Sequence, residues 1–132
     1  MYETNVLGVV AVTNAFLPAL RRSAHPRIVN ISSGAGSLTQ ATEVPFKGDY
    51  SAYHSSKAAL NMLTICYAYA LGDAFKVNAL APGRSHTDLN TLASASARDP
   101  AEGAAGAVRL ALLPADGPTG QFFSWDGTPF PW

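Results

Sequence analysis

In the stretch YSAYHSSKAALNML, residues 50–63, a tyrosine and a lysine stand four positions apart, Tyr53 and Lys57. On a helix that spacing puts both side chains on one face. A tyrosine hydroxyl titrates near ~10 in model peptides, too high for ready proton exchange near neutrality. A lysine ammonium beside it favours the phenolate and brings that value down. Two serines, Ser32 and Ser33 in RIVNISSGAG (27–36), offer hydroxyls that could hydrogen-bond the same substrate oxygen. Such a set suits protonation of a carbonyl oxygen as hydride reaches its carbon, or the reverse. Hydride itself has to come from a cofactor. The tyrosine–lysine spacing alone is weak evidence, because a solvated helix face gives the same pattern.

The elements that must position these groups alternate between strand and helix. Residues 4–22 read as a helix with Val6, Val9, Val10, Ala11, Phe16, Leu17 and Leu20 as a broad apolar surface. Pro18 should bend or loosen its last turns. Arg27 to Ser32 is a β-branched strand, and 34–49 an irregular loop marked by Gly34, Gly36, Pro45 and Gly48. The next helix runs from about Ser51 to Leu71, where Gly72 can end it. A second strand covers Lys76 to Ala81 and breaks at Pro82-Gly83. A third helix has Asp99 as N-cap, Pro100 in its first turn, Glu102 completing a capping box and Pro114 as its stop. Gln121 to Trp125 is the last strand. This order predicts an α/β fold with a parallel, doubly wound sheet in one domain over 1–132. In such sheets reactive groups gather at the carboxyl ends of the strands. Ser32, Ser33, Tyr53, Lys57 and Pro82-Gly83 all converge there.

Composition narrows the partners. The 132 residues are 48% hydrophobic and 14% charged, which fits a folded domain rather than a disordered chain. Nine basic and nine acidic residues balance, with no basic patch to suggest nucleic acid or an anionic membrane. No apolar run approaches the ~20 residues of a membrane span. Neither a signal-peptide n-region nor metal-ligand spacing among His25, His54, His86 and Cys66 is present. The lone Cys66 reads as a small buried hydrophobe, in keeping with a cytoplasmic protein. His54 and His86 read as loop or surface residues.

Four segments in one order carry a resemblance. TNVLG (4–8), RIVNISSGAG (27–36), YSAYHSSKAALNML (50–63) and KVNALAPGRSHTDL (76–89) together resemble the short-chain dehydrogenase/reductase family, in its carbonyl-reductase-like branch. The closing TGQFFSWDGTPFPW fits the same pattern. The resemblance implies an NAD(P)(H)-dependent oxidoreductase that interconverts a small-molecule carbonyl compound and an alcohol. Tyr53 matches the catalytic acid/base and Lys57 the lysine that tunes it and binds the nicotinamide ribose. Ser33 matches the substrate-orienting serine, with Ser32 as its rival. Asn5 matches an asparagine that holds a water in a proton relay to the lysine. Pro82, Gly83, Ser85 and Thr87 fall where the family's P-G-x-x-x-T segment contacts the nicotinamide half of the cofactor, Ser85 through its backbone. NADP is favoured over NAD, and no metal is implied. The family often dimerises through helices equivalent to 4–22 and 51–71, which implies a homo-oligomer.

Two departures from that pattern carry expectations of their own. Ser33 and Tyr53 are twenty positions apart, so the loop bearing ATEVPFKGD (41–49) reads as an insertion at the pocket mouth. The family's Gly-rich cofactor loop and first strands belong upstream of TNVLG. The sequence therefore reads as the C-terminal half of a reductase, with the pyrophosphate cradle outside it and an open edge at RIVNI. Alone, such a half is expected not to anchor a dinucleotide. The alternative is a non-catalytic remnant that only associates through its helices. Extended-branch epimerases and dehydratases share Y-x-x-x-K, but the short tail disfavours them.

Overall fold

The computed structural model describes residues 1–44, 50–85 and 98–132. Three strands, β1 (Arg27–Ile31), β2 (Lys76–Ala81) and β3 (Phe122–Ser124), form a parallel sheet in the order β1-β2-β3. Ile28 pairs with Val77 and Asn30 with Ala79, while Ala79 pairs with Phe122. Strand residues alternate between faces. Ile28, Asn30, Val77 and Ala79 thus face one side of the sheet, and Arg27, Val29 and Leu80 the other.

The first side is covered by two helices, α1 (Gly8–Leu20) and α3 (Ser51–Leu71). Ala68, Phe75 and Val77 form a buried cluster there, with Leu17, Leu20, Ile28, Tyr67 and Leu71 packed around it. Tyr67 Oη donates to Asn14 Oδ1 at 2.9 Å and ties α3 to α1. The second side carries α4 (Pro100–Ala111), whose Gly106 lies against the Leu80 side chain. Asp99 caps α4 as expected, its Oδ1 accepting from Ala101 N at 2.9 Å. Glu102 does not close the capping box; its carboxylate lies 3.8 Å from the Arg98 guanidinium instead.

Several elements differ from the sequence reading. The first helix opens with a π-helical turn, Glu3–Leu7, before α1. Its apolar surface is less buried than its composition suggests: Val6, Val9, Val10, Leu17 and Leu20 are half-buried, but Ala11 and Phe16 are exposed. The helix meets the sheet along one stripe, and its opposite stripe faces outward. Glu3–Leu20 also has the length and composition of a weak membrane-span candidate. Leu17 and Leu20 pack on the Val77 cluster, while Leu7, Val12 and Phe16 stay exposed. Residues 34–43 are not irregular: a 3-10 turn, Gly34–Gly36, leads into a short helix, α2 (Leu38–Glu43). Ser37 caps α2, its Oγ accepting from Gln40 N at 3.0 Å. Cys66 is exposed rather than buried, on the outward side of α3 with Met62 and Tyr69. The helix α3 itself ends at Gly72, at φ +71°.

Candidate active site

The first turns of α3 bring Tyr53 and Lys57 to the end of β1, both half-buried. Lys57 Nζ donates to the carbonyl of Ile31, the last residue of β1, at 2.9 Å. It lies 5.9 Å from the centre of the Tyr53 ring. Burial lowers the Lys57 pKa from the ordinary 10.5, because desolvation disfavours the charged form. The bond to Ile31 uses one of three ammonium donors, so the group can still bind a ligand oxygen.

The two serines separate clearly. Ser32 is buried, and its Oγ donates to Asn61 Oδ1 at 2.5 Å. Asn61 Nδ2 in turn donates to the Gly36 carbonyl at 3.1 Å. Ser33 is half-buried and caps the 3-10 turn, its Oγ accepting from Ala35 N at 3.2 Å. That turn rests directly on the backbone of α3. A Cβ at Gly36 would lie 2.7 Å from the Lys57 carbonyl carbon and 2.8 Å from its oxygen, closer than any side chain is tolerated. Glycine at 36 is what lets the Ser33 turn approach the lysine.

Asn5 sits in the π-helical turn, a device that recurs at functional positions. Its Nδ2 donates to Ser56 Oγ at 3.1 Å, and Ser56 Oγ donates to the Tyr53 carbonyl at 2.8 Å. The side chain is therefore tied, through Ser56, to the backbone of Tyr53. Beyond β2, Gly83 adopts φ +78°, a region that favours glycine. The Arg98 guanidinium stacks on Trp125 at 3.7 Å and lies beside Gly83. Ser85 is half-buried and bridges to Arg98, and Pro82 is half-buried. Thr87 and His86 lie outside the described residues. His54 lies on α3 rather than in a loop and is half-buried, with ring centres 6.3 Å from Tyr50 and 6.0 Å from Tyr53. Among the described residues no cluster of His, Cys, Asp and Glu could hold a metal ion.

Ser33 follows the carboxyl end of β1, where Lys57 reaches the Ile31 carbonyl beside the Tyr53 ring, and Asn5 is joined to the Tyr53 carbonyl through Ser56. Pro82 to Ser85 follow the carboxyl end of β2, the neighbouring parallel strand. A profile of the short chain dehydrogenase family matches residues 1–98. The chain belongs to that family.

Within the family, the chain is 34% identical to a (+)-neomenthol dehydrogenase of Capsicum annuum, over 92% of its own length and 49% of that protein. It is 35% identical to the C-signal protein of Myxococcus xanthus, over 99% of itself and 76% of that protein. The structure of NADPH-bound carbonyl reductase from chicken fatty liver superposes with a TM-score of 0.85 at 34% identity, covering 99% of this chain and 55% of that one. The chain spans about half the length of most curated dehydrogenases and reductases it matches. Ser56 and Asn61 carry no role in the sequence reading, yet both are buried and bonded to candidate residues, Ser56 to Asn5 and Asn61 to Ser32. Asn61 stands four residues after Lys57, the same helical spacing that links Lys57 to Tyr53.

Proposed function

We propose that this chain forms the C-terminal, catalytic half of an NAD(P)(H)-dependent oxidoreductase that interconverts a carbonyl compound and an alcohol. The observation that carries the reading is the contact of the Ser33 turn with α3 at Gly36, beside Tyr53 and Lys57. A nicotinamide dinucleotide, when bound, would supply or accept the hydride. The residues fit such a ligand: Lys57 keeps donors that would hold a ribose hydroxyl, and the exposed Gly83 turn would present its backbone to the nicotinamide half. Tyr53 Oη delivers the proton to the carbonyl oxygen in reduction and removes it from the alcohol in oxidation. Ser33 Oγ holds that oxygen, and the Lys57 cation stabilises the negative charge left on Tyr53. Asn5, through Ser56, fixes the first turn of α3. Pro82, Gly83 and Ser85 are assigned to the nicotinamide side, and Thr87 joins them by its place in the P-G-x-x-x-T segment. NADPH is favoured, in line with the NADPH-bound carbonyl reductase that the fold matches.

The open edge of β1 and the motif order support placement in the later half of the family domain. Exposed Leu7, Val12 and Phe16 on the first helix, with Met62 and Tyr69 on α3, support association of two copies.

The test is a Lys57→Met variant in a polypeptide that joins these residues to a dinucleotide-binding half. Cofactor affinity and carbonyl-dependent oxidation of NADPH should both fall, because one side chain serves ribose and tyrosine alike. A variant matching its parent in both would remove Lys57 from the mechanism.

A further inference from the structure

After β3 the chain turns at Asp126-Gly127 and runs back antiparallel along the strand. Ser124 N donates to the Thr128 carbonyl and Phe130 N to the Phe122 carbonyl, each at 2.8 Å. Phe130 meets Phe122 edge-on with ring centres 5.0 Å apart, and Trp132 stacks on Phe122 at 5.2 Å. Phe122 is almost fully buried, so both rings are seated on a fixed base. From that base the returning segment reaches the turn that follows β1. The Trp132 carbonyl accepts from Thr39 N at 2.9 Å and from Ser37 Oγ at 3.2 Å. Phe130 Cζ stands 3.2 Å from where a Cβ of Gly34 would be.

Gly34 is the residue next to Ser33. The Ser33 turn is thus gripped from two sides, by the α3 backbone at Gly36 and by the Phe130 ring at Gly34. A capped single turn has few hydrogen bonds of its own and would otherwise sample several conformations. We propose that Phe130 and Trp132 are positioning residues that hold the hydroxyl of Ser33 in its working orientation. The proposal deepens the reductase reading, since it gives Ser33 the role assigned above. The chain's last strand then reports to the serine end of the site through an aromatic clasp.

The experiment is amide NMR on the 132-residue chain, so it does not depend on turnover. Phe130→Ala should speed exchange at Ala35, Gly36 and Ser37 by about tenfold and leave the β2 amides at parental rates. Ser33→Ala should shift the Ala35 amide, which donates to Ser33 Oγ in the parent. In the Phe130→Ala background that shift should largely vanish, because the two residues act through one hydrogen bond. Phe130→Leu, which refills the space, should restore most of the parental pattern. Should Phe130→Ala unfold the chain, Trp132→Ala is read the same way, since it removes the stack and keeps the backbone carbonyl. Parental exchange at Gly36 and Ser37, with an unchanged response to Ser33→Ala, would overturn the proposal. A clasp that behaves as described, with Ser33→Ala leaving turnover at the parental rate in a polypeptide that joins these residues to a dinucleotide-binding half, would sink the assigned role of Ser33 alone.

Discussion

The two faces of the sheet are held by different means. On the α3 face, side chains hydrogen-bond to one another and to the backbone of β1 and its following turn. Asn30 Nδ2 donates to Thr64 Oγ1 at 2.8 Å, Ser32 to Asn61, Asn61 to Gly36, and Lys57 to Ile31. On the α4 face, backbone lies close to backbone. A Cβ at Gly106 would stand 2.9 Å from the Trp125 carbonyl, and one at Gly103 would stand 3.1 Å from that of Pro82. Arg27 adds a tie there, its guanidinium donating twice to the Leu113 carbonyl at 2.9 and 2.7 Å. Dispersion contacts are tolerant in direction, whereas hydrogen bonds fix angle as well as distance. The α3 face, which adds these hydrogen bonds to the apolar cluster of Ala68, Phe75 and Val77, is the one that bears Ser33, Tyr53 and Lys57. The difference suggests that α3 is placed for chemistry and α4 for cohesion.

Gly36→Ala should break this distinction most severely. Its methyl has no room against the Lys57 backbone, so the Ser33 turn must lift away from α3. Turnover in a polypeptide complete with its cofactor half should fall by about a hundredfold or more, the scale lost when groups are misplaced by about an ångström. Steady-state kinetics with a cofactor titration would check it, and a parental rate would show that the contact does not matter for catalysis.

Gly106→Ala sharpens the contrast from the other side. Overpacking should cost about 1–3 kcal/mol of stability, read by denaturant titration, while kcat stays near parental. An equal loss of rate would mean that α4 also positions the site.

The smallest effect concerns pH. Burial lowers the Lys57 pKa in the folded chain below 10.5, so between the two values the unfolded chain binds more protons. Stability of the parent should therefore rise with pH across that interval, being complete above the unfolded value and lost as pH falls through the folded one. Lys57→Met should flatten that rise in urea titrations at a series of pH values. An unchanged slope would assign it to another group.

Much of this arrangement was legible in the sequence, and the misses have physical causes. The span of α3 could be read because Gly72 stops it at positive φ, and α4 because Asp99 caps it. The short helix α2 was hidden by the glycines before it. Its own signal was Ser37 followed by Gln40, the S-x-x-Q spacing of a capping box. Cys66 reads as core by residue type, but type does not say which stripe of a helix meets the sheet. Ser56, Asn61 and Thr64 break the expected apolar face of α3, and that irregularity marked buried hydrogen bonding. Tyr53, Lys57 and Ser33 stood out in the sequence through the order of the four segments that hold them, since the tyrosine–lysine spacing alone also fits a solvated helix face. Their supports did not, because a buried asparagine looks like a surface one until its partners are placed.

The central claim is that Tyr53 moves the proton, and the direct measurement is Tyr53→Phe in a polypeptide complete with its cofactor half. The substitution keeps the ring and removes the transferable proton. The account predicts a fall in kcat of about a hundredfold or more with cofactor affinity unchanged, the scale of general acid catalysis. A Tyr53→Phe enzyme that kept most of its kcat would contradict it.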